Sequence, residues 1–171
     1  NMIEIETPRL FIRKLQENDR QDLFEILSNE QWCLDGGGYH AFQTMDEQFE
    51  IVFQKFLSKQ IYAIVLKEEE KLIGIISISD SDWVDSAREL GFGINPIYQK
   101  NGYCYEALKN VIAIWFQHTD AQMLTTSHYS FNTASQKLIT KLGFVYEGAV
   151  HKTRHHSIYG QSDLMCYYLD W

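Results

Sequence analysis

The 171-residue chain predicts an α+β (mixed α/β) fold, with helices on both faces of one sheet. Three observations predict it. Short apolar runs of strand character recur along the chain, and single patterns of helical period separate them. The length suits one domain with a sizeable core, residues 2–171. No repeat, low-complexity tract or linker divides it, and the only prolines are Pro8 and Pro96. Asn1 before Met2 reads as the remnant of an expression tag.

The first strand is "PRLFIRKL", Pro8–Leu15, where Leu10 and Ile12 alternate with Arg9 and Arg13. Asn18 can cap a helix running to about Ser28, with Leu23, Phe24 and Leu27 on one face. "CLDGGGYHAF", Cys33–Phe42, reads as a mobile glycine-rich loop. "TMDE", Thr44–Glu47, has the capping-box pattern, and the helix it starts carries Phe49, Val52, Phe53, Phe56 and Leu57. "IYAIVL" is a buried strand, "KEEEK" a charged hairpin tip, and "LIGIISIS" and "ELGFGI" two more strands. From Gly102 to about His118 the spacing is helical, with Cys104, Leu108, Val111, Ile112 and Trp115 on one stripe. "MLTTSHY" returns to strand. Asn132 caps a short helix stopped by Gly143. "FVYEGAV" and "SDLMCYYL" close the chain as an antiparallel pair around a turn at Tyr159-Gly160.

The bulk numbers narrow the function. A net charge of −8 argues against nucleic acid, whose backbone demands a broad basic surface. No apolar run reaches the length of a membrane span, and no basic-then-apolar leader opens the chain. Three cysteines without CxxC spacing fit unpaired thiols in a reducing cytoplasm. "HKTRHH", His151–His156, spaces two histidines four apart. It lies between strands, where that spacing loses its meaning, and reads as a solvated basic loop, so no metal is expected.

The most informative stretch is "INPIYQKNGYCYEAL", Ile94–Leu108. A helix start leaves about four main-chain N–H groups unpartnered and carries partial positive charge. Gly102 removes side-chain bulk there, and Lys100 adds a full charge. Gly91 and Gly93 thin the preceding strand, as where a ligand lies along a backbone. Together they suit a ligand with an amide-bearing arm and a phosphate end. Neither GxGxxG nor a P-loop is present. The bland alternative is a plain strand–turn–helix connection.

Three stretches together resemble the GCN5-related N-acetyltransferase (GNAT) superfamily, and more closely its branch of ribosomal-protein N-terminal acetyltransferases. They are "IETPRLFIRKLQENDRQDLFEI", "ELGFGINPIYQKNGYCYEAL" and "NTASQKLITKLGFVYEG", in family order along nearly the whole chain. The resemblance implies a mostly antiparallel twisted sheet of about six to seven strands, splayed between the fourth and fifth. It implies acetyl-CoA as co-substrate: pantetheine along Phe92, Gly93 and Ile94, pyrophosphate on the amides of Gln99, Lys100, Asn101, Gly102, Tyr103 and Cys104, and Asn132 at the pantetheine arm. Cys104 stands where the family has Gly or Ala, and reads as a small core-facing residue.

The same resemblance implies transfer to an amine by direct attack. Glu89 is the candidate base, with Glu147 or a water as alternatives; Glu89 could instead pair with Arg88 or a neighbouring strand, and Glu147 could instead order its strand or the substrate wall of the site. Many relatives carry an acid tyrosine seven residues after the capping Asn, which here is Ile139. Ser135 matches the serine of the ribosomal branch and is the candidate acid, or else it solvates the helix end. A main-chain N–H near Gly93 or Ile94 would polarise the thioester carbonyl. Trp32, Tyr39 and His40 flank the triple glycine and are candidates to close over the acceptor, or plain hydrophobic plugging. The acceptor is a protein N-terminus or a small amine such as an antibiotic or polyamine. The competing readings are a non-catalytic acyl-CoA-binding module and an unrelated domain whose loop binds no cofactor. A homodimer is compatible with all three.

Overall fold

The computed structural model describes residues 4–171; the reading of Asn1 falls outside them. Strands β1 (Ile5–Glu6) and β2 (Leu10–Lys14) precede three helices, α1 (Arg20–Leu27), α2 (Glu30–Asp35) and α3 (Glu47–Ser58). Then come β3 (Ile61–Leu66), β4 (Lys71–Asp80), β5 (Ala87–Ile94), α4 (Tyr103–His118), β6 (Met123–Tyr129), α5 (Thr133–Lys141), β7 (Val145–His156) and β8 (Gly160–Asp170). The eight strands form one sheet in the order β1-β2-β3-β4-β5-β6-β8-β7. Every pair is antiparallel except β5 with β6.

Helices cover both faces, as expected. On one face, Leu108, Val111, Ile112 and Trp115 of α4 and Ile139 of α5 pack on Leu10, Ile12, Ile64, Leu90 and Leu124. On the other, Leu23 and Ile26 of α1 and Phe49 and Phe53 of α3 pack on Leu15, Ile61, Ala63 and Leu72. All of β3 is buried because it carries a helix layer on each side, which is why it reads as an unbroken apolar run.

Four local expectations change. α3 is capped by Asp46, whose Oδ1 accepts the Phe49 N–H (2.9 Å), not by Thr44. The approach to α1 is held by Asp19 instead of Asn18: its carboxylate accepts the Gln16 N–H (2.8 Å) and both Nη groups of Arg13. A third helix, α2, forms on Asn29, whose side chain accepts the Trp32 N–H (3.0 Å). "HKTRHH" is strand rather than loop; β7 runs through it with a register break between Val150 and Arg154, where Lys152 takes a φ of +53°.

Candidate active site

β5 and β6 pair only at their first residues, Ala87–Glu89 against Met123–Thr125. Beyond Glu89 the strands part, and the Thr126 hydroxyl donates to the Leu90 carbonyl (2.8 Å) at the fork. Along a strand the main-chain groups face alternate sides. The Asn95 N–H donates to the Ile73 carbonyl (2.7 Å) toward β4, so the groups of Gly91 and Gly93 also face β4. Those of Phe92 and Ile94 face into the fork with Leu90. The two glycines have a packing reason to be small: a methyl on Gly91 would meet the Ser77 hydroxyl, and one on Gly93 the Trp32 ring.

At the end of β5, buried Asn95 braces the turn. Its Nδ2 donates to Glu25 of α1 (2.6 Å), and its Oδ1 accepts the Ile97 N–H (3.2 Å). A 3-10 turn follows at Pro96–Tyr98, and the Gln99 N–H is spent on the Pro96 carbonyl (3.2 Å). Lys100 (φ +67°) and Gly102 (φ +78°) then take left-handed conformations. From Lys100 through Tyr105 no main-chain N–H finds an acceptor among the described residues, and no side chain caps α4. Six unpaired donors at the start of a sixteen-residue helix make a concentrated anion site. Pyrophosphate was expected on Gln99 through Cys104; the free amides begin one residue later.

These amides open on a cleft of about 430 Å³ lined by Phe92, Ile94, Tyr103, Cys104, Asn132 and Lys137. Burial pushes the Cys104 thiol up to about 12, which keeps it protonated and unreactive near neutrality. Asn132 caps α5, its Oδ1 accepting the Ser135 N–H (3.1 Å), while its Nδ2 reaches the Asp35 carbonyl (3.4 Å). Ile139, seven residues after Asn132, is fully buried.

A second cleft of about 540 Å³ lies on the other side of the fork and is lined by Ser77, Ser79, Glu89, Ser127 and Tyr129. Phe92, Ser135, Asn132, Asp35 and Gly36 line both clefts. Glu89 is exposed, and its carboxylate makes no hydrogen bond or ion pair among the described residues. Arg88 turns instead to Asp80 (3.2 Å) and to main-chain carbonyls. Glu147 falls in the register break between Tyr146 and Gly148, where a bulge re-aims a side chain. Burial first, and then the charges of Glu147 and Glu89, push the Cys166 thiol upward, so both carboxylates bear on the same stretch of β8.

The triple-glycine loop is pinned, not loose. The Arg154 Nε donates to the Gly37 carbonyl (2.7 Å), and its guanidinium stacks on Tyr39 (4.2 Å). Buried His156 accepts the N–H groups of Ile158 and Tyr159 at Nδ1 (3.0 and 3.2 Å), so Nε2 carries the hydrogen and donates to the Leu34 carbonyl (2.8 Å). Trp32 lies across Gly93, while Tyr39 and His40 are exposed beyond the loop. Arg154 and His156 went unnoticed in the sequence because the loop reading of "HKTRHH" took away the alternation that separates inward from outward side chains.

A sheet forked between two parallel strands, with free amides at its mouth and a carboxylate and a hydroxyl beyond, can seat a ligand with an anionic end beside a second, polar cleft. A family model for the acetyltransferase (GNAT) domain matches residues 9–145. The chain belongs to that family and is an N-acetyltransferase of it. The uncharacterized N-acetyltransferase YoaA of Bacillus subtilis (strain 168) is 24% identical over 156 residues, 86% of each chain. The ribosomal-protein-serine acetyltransferase of Escherichia coli (strain K12) is 22% identical over 146 residues, 82% of each. Among solved structures, the ribosomal L7/L12 alpha-N-protein acetyltransferase RimL in complex with coenzyme A has a TM-score of 0.82 at 16% identity, covering 99% of this chain and 98% of that one. The spermidine N-acetyltransferase of Vibrio cholerae, in complex with CoA and spermine, has a TM-score of 0.78 at 16% identity over 96% of each chain. Both structural likenesses show the fold.

Proposed function

We propose that the protein moves an acetyl group from acetyl-CoA to a primary amine by direct attack in a ternary complex. The observation that carries this reading is the run of six unpaired amides, Lys100 through Tyr105, next to a cleft that shares Ser135 and Asn132 with a second cleft containing Glu89. Acetyl-CoA supplies the activated acyl group. The amides hold its diphosphate, and the unpaired main-chain groups of Phe92 and Ile94 pair with the amides of its arm. Asn132 reaches the same arm. The Ile94 or Phe92 N–H is better aimed than that of Gly93 to polarise the acyl carbonyl, because Gly93 faces β4.

On the other side of the fork, Glu89 accepts a proton from the incoming ammonium, directly or through a water. Being unpaired, it is free to do so. Ser135 lines both clefts and passes its proton to the departing thiolate, regaining one from the attacking nitrogen as that nitrogen becomes the amide. Asp35, Glu89 and Glu147 give the acceptor side a negative character that suits a cationic amine. Named relatives acting on ribosomal proteins and on spermidine support that range of acceptors. Three free cysteines, Cys33, Cys104 and Cys166, fit a cytoplasmic setting.

The test is CoA release monitored against N-terminal peptides, polyamines and aminoglycosides, for the native protein, Glu89→Gln and Ser135→Ala. Loss of general acid or base help lowers kcat by about 10²–10⁴-fold. Full turnover in both variants removes the catalytic assignments. Binding of acetyl-CoA without turnover of any amine would make the protein an acyl-CoA-binding module instead.

A further inference from the structure

The proposed function leaves the Thr7-Pro8-Arg9 corner ahead of β2 without a role. Arg9 is tied at three points. Its Nε donates to Glu106 Oε1 (2.7 Å), its main-chain N–H donates to Glu106 Oε2 (3.0 Å), and its Nη1 donates to the Asn101 carbonyl (2.9 Å). The guanidinium also stacks on Tyr103 (4.4 Å). The Thr7 hydroxyl donates to the same Glu106 Oε2 (2.6 Å), so the carboxylate is held from two sides.

The bond to Asn101 is the informative one. In a trans peptide the C=O and the following N–H point opposite ways, and the described chain has no cis bond. Drawing the Asn101 carbonyl toward Arg9 therefore turns the Gly102 N–H away from Arg9, toward the cleft that Gly102 lines. Asn101 repeats the device two peptides earlier: its Nδ2 donates to the Tyr98 and Gln99 carbonyls (3.0 and 3.1 Å), and the second bond turns the Lys100 N–H away from the Asn101 side chain. Two left-handed residues, Lys100 and Gly102, sit within this stretch, so its amides would otherwise have other orientations open to them.

We infer that Arg9 is a positioning residue that aims the amide row at the diphosphate of acetyl-CoA, acting through the Asn101 carbonyl and locked in place by Glu106. The inference rests on the amide-cradle reading. The corner also explains why a distant strand start is bound to a helix end: it sets the direction of donors that carry no side-chain identity of their own.

The test compares kcat/KM for acetyl-CoA, acetyl-dephospho-CoA and S-acetylpantetheine, which lacks the diphosphate, in the native protein, Arg9→Gln and Arg9→Lys, with melting temperatures alongside. Misaiming one donor to a charged group costs about ten- to a hundredfold in affinity. Arg9→Gln is therefore expected to cut the preference for acetyl-CoA over S-acetylpantetheine about tenfold or more, mainly through KM. The loss persists with acetyl-dephospho-CoA. Arg9→Lys gives an intermediate loss, since an ammonium cannot serve Glu106 and Asn101 as a fork does, and it stands in should Arg9→Gln not fold. A preserved preference, or equal losses on all three donors that follow the melting temperature, overturns the inference; so does a loss confined to donors bearing the 3′-phosphate. A native protein with no preference for acetyl-CoA over S-acetylpantetheine sinks the cradle reading itself, a result the variants cannot mimic.

Discussion

Asn132 does two jobs with two atoms, and they separate by substitution. Its Oδ1 caps α5 by accepting the Ser135 N–H (3.1 Å). Its Nδ2 makes only a long contact with the Asp35 carbonyl (3.4 Å) and is otherwise free at a place where both clefts meet. Asn132→Ala removes both. The lost cap costs about 1 kcal/mol, which in a domain of this size lowers Tm by about 2–4 °C. The lost donor raises KM for acetyl-CoA by about two- to tenfold if it bonds the pantetheine arm. Asn132→Asp keeps the acceptor, and its charge is favoured at the helix start by about 0.3–1 kcal/mol. That gain is partly offset by a carboxylate oxygen facing the Asp35 carbonyl. Its Tm should therefore stay near the native value while KM rises as in Asn132→Ala. Differential scanning calorimetry and steady-state kinetics on the three proteins decide it. A Tm for Asn132→Asp as low as that of Asn132→Ala would refute the cap, and a native KM in Asn132→Asp would refute the donor.

Two further perturbations test neighbouring parts of the site. Burial acts to raise the Glu106 carboxyl, but the Thr7 hydroxyl, the Arg9 guanidinium and the Arg9 N–H outweigh it and hold it below the usual carboxylate range. A depressed carboxyl contributes stability that is present above its unfolded value, about 4.3, and is lost as pH falls through the lower folded value. The Tm gap between the native protein and Glu106→Gln should be full at pH 6–7 and shrink below about pH 4; a constant gap contradicts the ion-pair reading. The Cys104 thiol, pushed up to about 12 by burial, should resist iodoacetamide at pH 8, and Cys104→Ala should keep kcat within about twofold. Rapid alkylation with loss of turnover would mean that the thiolate is populated and used.

What the sequence revealed about the fold follows from period and apolarity. The α4 stripe of Leu108, Val111, Ile112 and Trp115 and the unbroken run of β3 are statements about which faces are buried, and periodicity carries that directly. Caps were less legible. Thr44 and Asp46 are both good cap types two residues apart, and the choice is made by how α3 seats Phe49 and Phe53 in the core. Asn18 lost to Asp19 because Arg13, on a neighbouring strand, pairs with the carboxylate. In the site, the helix-start amides could be anticipated from Gly102, whereas the packing behind Gly91 and Gly93 could not. Their missing side chains make room for Ser77 and Trp32, a complementarity between residues 14 and 61 positions apart that no local pattern encodes. Arg9 and Glu106 lie 97 positions apart and stayed invisible as a pair for the same reason.

The two sides of the fork are built from different materials, and this bears on what can vary. The proposed phosphate and pantetheine contacts are main-chain groups: six amides after Gln99, and the peptides of Phe92 and Ile94. Main-chain donors tolerate exchange of their own side chains as long as the backbone is aimed correctly, so the constraint moves to the few side chains that do the aiming, Asn95, Asn101, Arg9 and Glu106. The acceptor side is the reverse. Glu89 and Asp35 line the second cleft, and the end of α2 with the glycines after it is fastened by Arg154 and His156 of β7. Exchanging any of these changes the charge or shape offered to the amine without touching the amide row. Under the proposed roles, a scaffold divided in this way can keep one acyl donor while its acceptor changes, because the two clefts share little beyond Phe92, Ser135, Asn132 and the Asp35–Gly36 turn.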